Sequence, residues 1–214
     1  MRIVADPMHG SGGRLLEELF GSTSCTVRTI RAEPDPYFGG VHPEPMMPQL
    51  EPLREAVVAE GAAVGLATDG DGDRLGVVDE TGRFVSTLEV LPLLLLHVYR
   101  RRGWRGDVAH TFSQSLLVGR VAASLGLAVH ETPIGFKNIA ALMLDRTVLI
   151  GGEESGGIGL SRHIPERDGI FVGLLILDLL VAAGRPLGSL IREMWDEFGE
   201  FHYLSLSTKK QKSP

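Results

Sequence analysis

Residues 63–79 read AVGLATDGDGDRLGVVD, and the centre of that stretch, Thr68-Asp69-Gly70-Asp71-Gly72-Asp73-Arg74, decides how the rest of the chain is read. Three carboxylates alternate with glycines, and a run this tight repels itself unless something positive sits in it. Oxygen-only donors on a short Gly-rich turn suit a hard cation, Mg²⁺ or Ca²⁺, rather than a soft metal. The glycines allow positive φ, so the carboxylates can converge. Arg74 cannot ligate a cation. It suits an anion held beside one, a phosphate above all. The apolar flanks, 63–67 and 75–78, read as short buried strands, so the acidic turn joins two strands. A solvated acidic turn is the plain alternative, but three aspartates in register with Arg74 favour a functional loop. An EF-hand is the other alternative. Counted from Asp69, Glu80 fills the pattern's last position, but Arg74 stands where a glycine is required and the flanks are not helices.

The chain has 214 residues, enough for one large or two modest domains, and its 43% hydrophobic content supports a core. A net charge of -6 argues against nucleic acid or an anionic membrane as partner. The single cysteine, Cys25, excludes an internal disulfide and fits a reducing cytoplasm. The N-terminus reads as a strand rather than a targeting segment. The apolar runs 88–99 and 170–183 are too short to span a bilayer comfortably, and Glu89, His97 and Asp178 interrupt them. Both therefore read as buried helices.

Outward from the acidic turn, apolar strands alternate with helices. Strands are expected at 2–5, 26–30, 108–112, 127–131, 148–150 and 201–206. Helices are expected at 14–20, 49–60, 88–102, 115–125, 136–144, 169–183 and 187–197. Residues 33–48, rich in Pro and Gly, read as an irregular loop. The glycine-rich turn 6–13 superficially suggests a phosphate cradle but matches neither nucleotide fingerprint. Alternation of this kind predicts α/β architecture with mixed, largely parallel sheets. Gly103-Trp104-Arg105-Gly106 is the best boundary. It gives two similar α/β domains, residues 1–103 and 104–208, with a tail at 209–214.

A second constellation, Gly152-Glu153-Glu154-Ser155-Gly156-Gly157, follows an apolar strand, where α/β proteins commonly bind ligands. Glutamate and serine side chains on such a turn suit sugar hydroxyls. An ordinary exposed turn is the alternative. Thr132–Lys137 and His163–Gly169 each offer a cation, Lys137 and Arg167, that could hold a phosphate or simply sit in a surface ion pair. Asp168 reads as the cap of the helix that follows.

Taken together these stretches resemble the α-D-phosphohexomutases, the phosphoglucomutase/phosphomannomutase group. Residues 67–79 look like that family's metal-binding loop. Asp6–Gly10 and Phe38–Pro45 are similar to second-domain motifs, and 132–137, 152–157 and 163–169 to third-domain motifs. The resemblance implies reversible phosphoryl transfer between the 1- and 6-positions of a hexose phosphate, glucose or mannose. Transfer runs through a phosphoserine enzyme and a hexose bisphosphate. It further implies Mg²⁺ on Asp69, Asp71 and Asp73, and Arg74 at the phosphoserine phosphate as the catalytic residue. Glu153 and Ser155 would take sugar hydroxyls, with Gly135, Lys137 and Arg167 along the sugar–phosphate side.

The family's phosphoserine motif and its C-terminal phosphate-binding motif are absent from this sequence. The expectation is therefore a cytoplasmic isomerase core that is inactive alone and needs domains I and IV from the same or another chain. A non-catalytic sugar-phosphate binding module, or half of a split enzyme, is the alternative. A phosphatase built on Asp71 and Asp73 is weaker, because that class places its D-x-D after the first strand.

Overall fold

The computed structural model describes residues 1–145 and 147–201. The first part of the chain runs β1 (Arg2–Asp6), α1 (Leu15–Phe20), β2 (Thr26–Thr29), α2 (Glu51–Glu60), β3 (Val64–Thr68), β4 (Leu75–Asp79) and β5 (Phe84–Val85). The second runs α3 (Thr87–Arg100), β6 (Asp107–Thr111), α4 (Leu116–Ser124), β7 (Val129–Thr132), α5 (Phe136–Asp145), β8 (Val148–Gly152), β9 (Ile158–Leu160), α6 (Gly169–Ala183) and α7 (Leu187–Phe198). Beyond Phe201, the strand expected over 201–206 and the tail expected at 209–214 lie outside the described residues.

Two sheets form, ordered β2-β1-β3-β4-β5 and β7-β6-β8-β9. In each, the first strand is central and runs parallel to the second and third. The next strand then turns back antiparallel on the third. The two halves thus repeat one plan, and in this repeat the turn between β3 and β4 corresponds to the turn between β8 and β9. The fold is mixed α/β with largely parallel strands, as expected.

Local sequence explains the element ends. Gly61 takes a left-handed conformation (φ 56) and stops α2. Ser86 opens α3 through a capping box with Glu89, whose carboxylate accepts from Ser86 N at 3.0 Å. Asp168 caps α6, accepting from Phe171 N at 2.8 Å. β3, β4 and β8 are buried along their whole length, consistent with their continuous apolar sequences.

Helix packing joins the two halves. α3 precedes the Gly103–Gly106 turn yet packs on α4, α6 and β8 of the second half. α6 packs on β9 of its own half and also on β3 and β4 of the first. Packing therefore divides the chain before α3, whereas turn composition places the boundary at Gly103. One apolar core runs through both sheets, from Ile3, Leu66 and Val77 through Leu91, Leu94 and Ile176 to Leu149 and Ile150. Burying each of these side chains contributes about 1.5–3 kcal/mol. A smaller cluster, including Leu50, Leu53 and Val57, seals the other face of the first sheet under α2. No single helix among the described residues is long and apolar enough to cross a membrane. The apolar faces of α3 and α6 are spent in the core.

Candidate functional site

The packing of α6 on β3 and β4 sets the two equivalent turns side by side. Leu75 N donates to Gly156 O at 3.1 Å, and Gly169 N at the start of α6 donates to Gly72 O at 3.0 Å. Arg74 and Gly157 pair across the junction as an isolated antiparallel bridge. The acidic turn, the Gly152–Gly157 turn and the 163–169 stretch are therefore one structure, although more than 90 residues separate its ends.

In the acidic turn, Asp69, Asp71 and Asp73 each present a carboxylate oxygen, and these oxygens lie within 4.8 Å of one another. Asp69 is buried, Asp73 half-buried and Asp71 exposed. Gly72 has φ 83, the left-handed bend that brings the third carboxylate round. Burial, then the neighbouring Asp69 carboxylate, pushes Asp73 up to about 6, against the pull of Arg167. The donor set is hard, compact and over-charged, so it fits a divalent cation bound by oxygen.

Arg74 is folded onto this turn. Its Nε donates to Asp69 Oδ2 at 2.6 Å and its backbone N to Asp69 Oδ1 at 3.0 Å. Its Nη1 lies 3.6 Å from Glu44. Burial works against its charge, but the Asp69 carboxylate outweighs this and holds the guanidinium above its ordinary value.

In the second turn Glu153 is buried, and its Oε1 accepts from Gly135 N at 2.9 Å. Gly135 has φ 116, a conformation closed to most side chains. Lys137 lies beside it, exposed in the first turn of α5. Ser155 is half-buried at the tip of the turn. Arg167 spans the gap: Nη2 is 2.5 Å from Asp73 Oδ2 and Nη1 is 3.6 Å from Glu153 Oε2. A cleft of about 310 Å³ opens here, lined by Ser11, Asp71, Asp73, Arg167, Asp168 and Ile170.

Several neighbours were not legible in the sequence as site residues. Ser11 N donates to Gly70 O at 3.0 Å, and a β-carbon on Gly10 would sit 2.7 Å from that same oxygen. The 6–13 turn thus supports the acidic turn. Phe38 lays its ring against Gly70, and Glu44 reaches Arg74 from the irregular loop. On the other side Ser113 donates to Glu154 and is itself 3.0 Å from Thr111 Oγ1.

Two repeated α/β units thus meet at one place, with an acidic turn from one and a glutamate turn from the other. The sequence matches the family Phosphoglucomutase/phosphomannomutase, alpha/beta/alpha domain II, over residues 1–82, and domain III of the same family over residues 89–198. The chain belongs to the phosphoglucomutase/phosphomannomutase family.

Among its relatives are a phosphoglucomutase of Rhizobium radiobacter, 34% identical over 94% of this chain, and a phosphoglucomutase/phosphomannomutase of Thermococcus kodakarensis, 33% identical over 90%. A phosphoglucosamine mutase of Moorella thermoacetica is 33% identical over 91%. The chain spans 38%, 42% and 44% of the lengths of these relatives, respectively. A crystal structure of a phosphomannomutase from Thermus thermophilus superposes with a TM-score of 0.87 at 38% identity, covering 92% of this chain and 46% of the other. Parafusin, a phosphoglucomutase from Paramecium, gives 0.84 at 27% identity, over 92% and 37%.

Proposed function

We propose that this chain carries the cation-binding and sugar-binding elements of a phosphohexomutase, which exchanges a phosphoryl group between the 1- and 6-positions of a hexose phosphate by way of a bisphosphate. The observation that carries this reading is that Arg167 bridges Asp73 and Glu153, so that three separate stretches meet at one ion-pair cluster beside the cleft. In it, Asp69, Asp71 and Asp73 hold Mg²⁺, which when bound supplies positive charge to the oxygens of the moving phosphoryl group. Arg74, fixed at two points on Asp69, presents its Nη groups to a phosphate beside that cation. Glu153 and Ser155 take sugar hydroxyls, and the Gly135–Glu153 hydrogen bond sets the carboxylate's orientation. Lys137 and Arg167 supply charge along the sugar–phosphate side.

Relatives named for glucose, mannose and glucosamine phosphates are similarly distant, so glucose, mannose and glucosamine 1-phosphates are all substrates to be assayed. The motifs for a phosphoserine and for a C-terminal phosphate grip are not in this sequence. We therefore propose that these 214 residues turn over little by themselves and act with domains I and IV supplied in the same or another chain. The cytoplasm is the proposed compartment.

The test adds the two other domains of a relative and follows conversion of each hexose 1-phosphate in the presence of its 1,6-bisphosphate. Turnover that needs Mg²⁺ and falls at least about 100-fold in Asp71→Ala is expected. Full activity in Asp71→Ala would sink the cation role. Hexose 6-phosphate binding that depends on Glu153 and Ser155, with no turnover in any combination, would instead support the non-catalytic module.

A further inference from the structure

Arg167 is shared between two carboxylates that the proposed function assigns to different ligands. Nη2 binds Asp73 at 2.5 Å, while Nη1 stands 3.6 Å from Glu153. Its Nε is buried without a hydrogen-bond partner among the described residues. The guanidinium therefore grips neither carboxylate as a two-pronged fork, the geometry that makes such pairs strong. Beneath it lies the Phe136 ring, 5.7 Å from the guanidinium carbon.

Its stem runs across Gly157, where a β-carbon would lie 2.3 Å from Arg167 Cδ. Gly157 is not among the glycines of positive φ. A glycine is needed at this position for room, so that Arg167 can cross the turn and reach Asp73.

We propose that Arg167 couples the cation site to the sugar site, so that a hexose phosphate and a divalent cation each tighten the binding of the other. The proposal rests on the cation and sugar-phosphate reading above. A guanidinium on Asp73 and a cation on the same carboxylate repel each other and compete for the same oxygens. A phosphate dianion is a better partner for arginine than a single carboxylate oxygen. When a sugar phosphate enters the cleft, Arg167 turns to it and leaves Asp73 to the cation. Linkage makes the effect reciprocal.

The test measures the Mn²⁺ affinity of the whole chain at pH 8, from the electron paramagnetic resonance of free Mn²⁺. Wild type, Arg167→Gln and Gly157→Ala are compared, each with and without saturating glucose 6-phosphate. In wild type the sugar phosphate tightens Mn²⁺ by about fivefold or more, the lower range of measured couplings. Arg167→Gln already binds Mn²⁺ about fivefold tighter than wild type without sugar, and the sugar then adds less than about twofold. Gly157→Ala keeps the positive charge but displaces the stem, so it shifts both values in the same direction.

Equal or weaker Mn²⁺ binding in Arg167→Gln overturns the coupling. So does an equal tightening of wild type and Arg167→Gln by inorganic phosphate, because the gain would then come from the anion's charge alone. If Mn²⁺ binds but calorimetry detects no glucose 6-phosphate binding to any of the three proteins, the sugar reading fails. The sugar-free comparison of wild type and Arg167→Gln still decides the role of Arg167. Mn²⁺ binding to none of the proteins overturns both.

Discussion

Asp71 and Asp73 sit two residues apart and face different costs. Asp71 is exposed and, among the described residues, joins no ion pair, so replacing it should barely change stability. Asp71→Asn is expected to abolish the Mn²⁺ broadening of amide signals around Asp69–Arg74 while changing stability by no more than about 0.5 kcal/mol. A lost fold would mean that the turn is structural, not a cation site. Asp73 is different, because burial and Asp69 raise its carboxyl to about 6. A carboxyl raised above its unfolded value contributes stability that is fully present below that unfolded value, near 4, and lost as pH rises through about 6. At pH 8 without metal its ionised form is therefore a net cost, on the order of 1 kcal/mol after solvent screening. Asp73→Asn should raise the melting temperature at pH 8 by up to about 3 °C and leave it unchanged near pH 4. Mn²⁺ affinity should fall in the same variant. A lower melting temperature at pH 8 would show that the ion pair with Arg167 outweighs the repulsion. The aspartates were legible because a carboxylate cluster built on one turn is written contiguously. Ser11, Phe38 and Glu44 were not, because they reach that turn from loops whose approach only the fold determines.

The start of α6 rests directly on the acidic turn. A β-carbon on Gly169 would lie 2.5 Å from Arg74 O and 2.8 Å from Gly72 O, both backbone atoms that cannot swing aside. Gly169→Ala gains up to about 1 kcal/mol in helix propensity. The clash costs about 1–3 kcal/mol and breaks the hydrogen bond from Gly169 N to Gly72 O. A net loss of stability in chemical denaturation is expected, with amide shifts concentrated at residues 72–74. A stabilised protein with unchanged shifts would mean that the helix can back away from the turn. The helices themselves were readable from their apolar runs and, for α6, from the cap at Asp168. β5 and β9 were not, because two or three residues carry no periodicity of their own and form only against β4 and β8. The break expected at Gly103 followed turn composition correctly as a turn. It could not reveal that the helix before it packs with what comes after.

Because α6 packs on the first sheet while α3 packs on α6, α4 and β8, neither half can lose its tertiary packing without exposing the other's. Ion pairs reinforce the contact between α3 and α6. Asp178 on α6 receives Arg102 Nη2 at 2.5 Å and pairs at 2.5 Å with His97 on α3, whose ring is buried. Burial alone would raise the Asp178 carboxyl, but Arg102 and His97 together hold it below its ordinary value. A lowered carboxyl contributes stability that is present above its unfolded value, near 4, and lost as pH falls through the folded one. His97 Nδ1 already lacks a partner among the described residues, so removing the Asp178 charge weakens the one bond the buried ring has. Asp178→Asn should therefore cost about 1–3 kcal/mol at pH 7 and progressively less as the pH falls through the folded value. The form of the transition is as informative as its midpoint. Trp104 lies near the turn between the halves and Trp195 lies under Arg83, so fluorescence reports the junction while circular dichroism reports all the helices. With one shared core the two signals should coincide in urea, in wild type and in Asp178→Asn, with only the midpoint shifted. Separate transitions would mean that each half folds alone and that the packing of α6 on the first sheet is a docking of finished units. In that case the cleft between Asp73 and Glu153 could open without unfolding, and the coupling through Arg167 would depend on the equilibrium between docked and undocked halves.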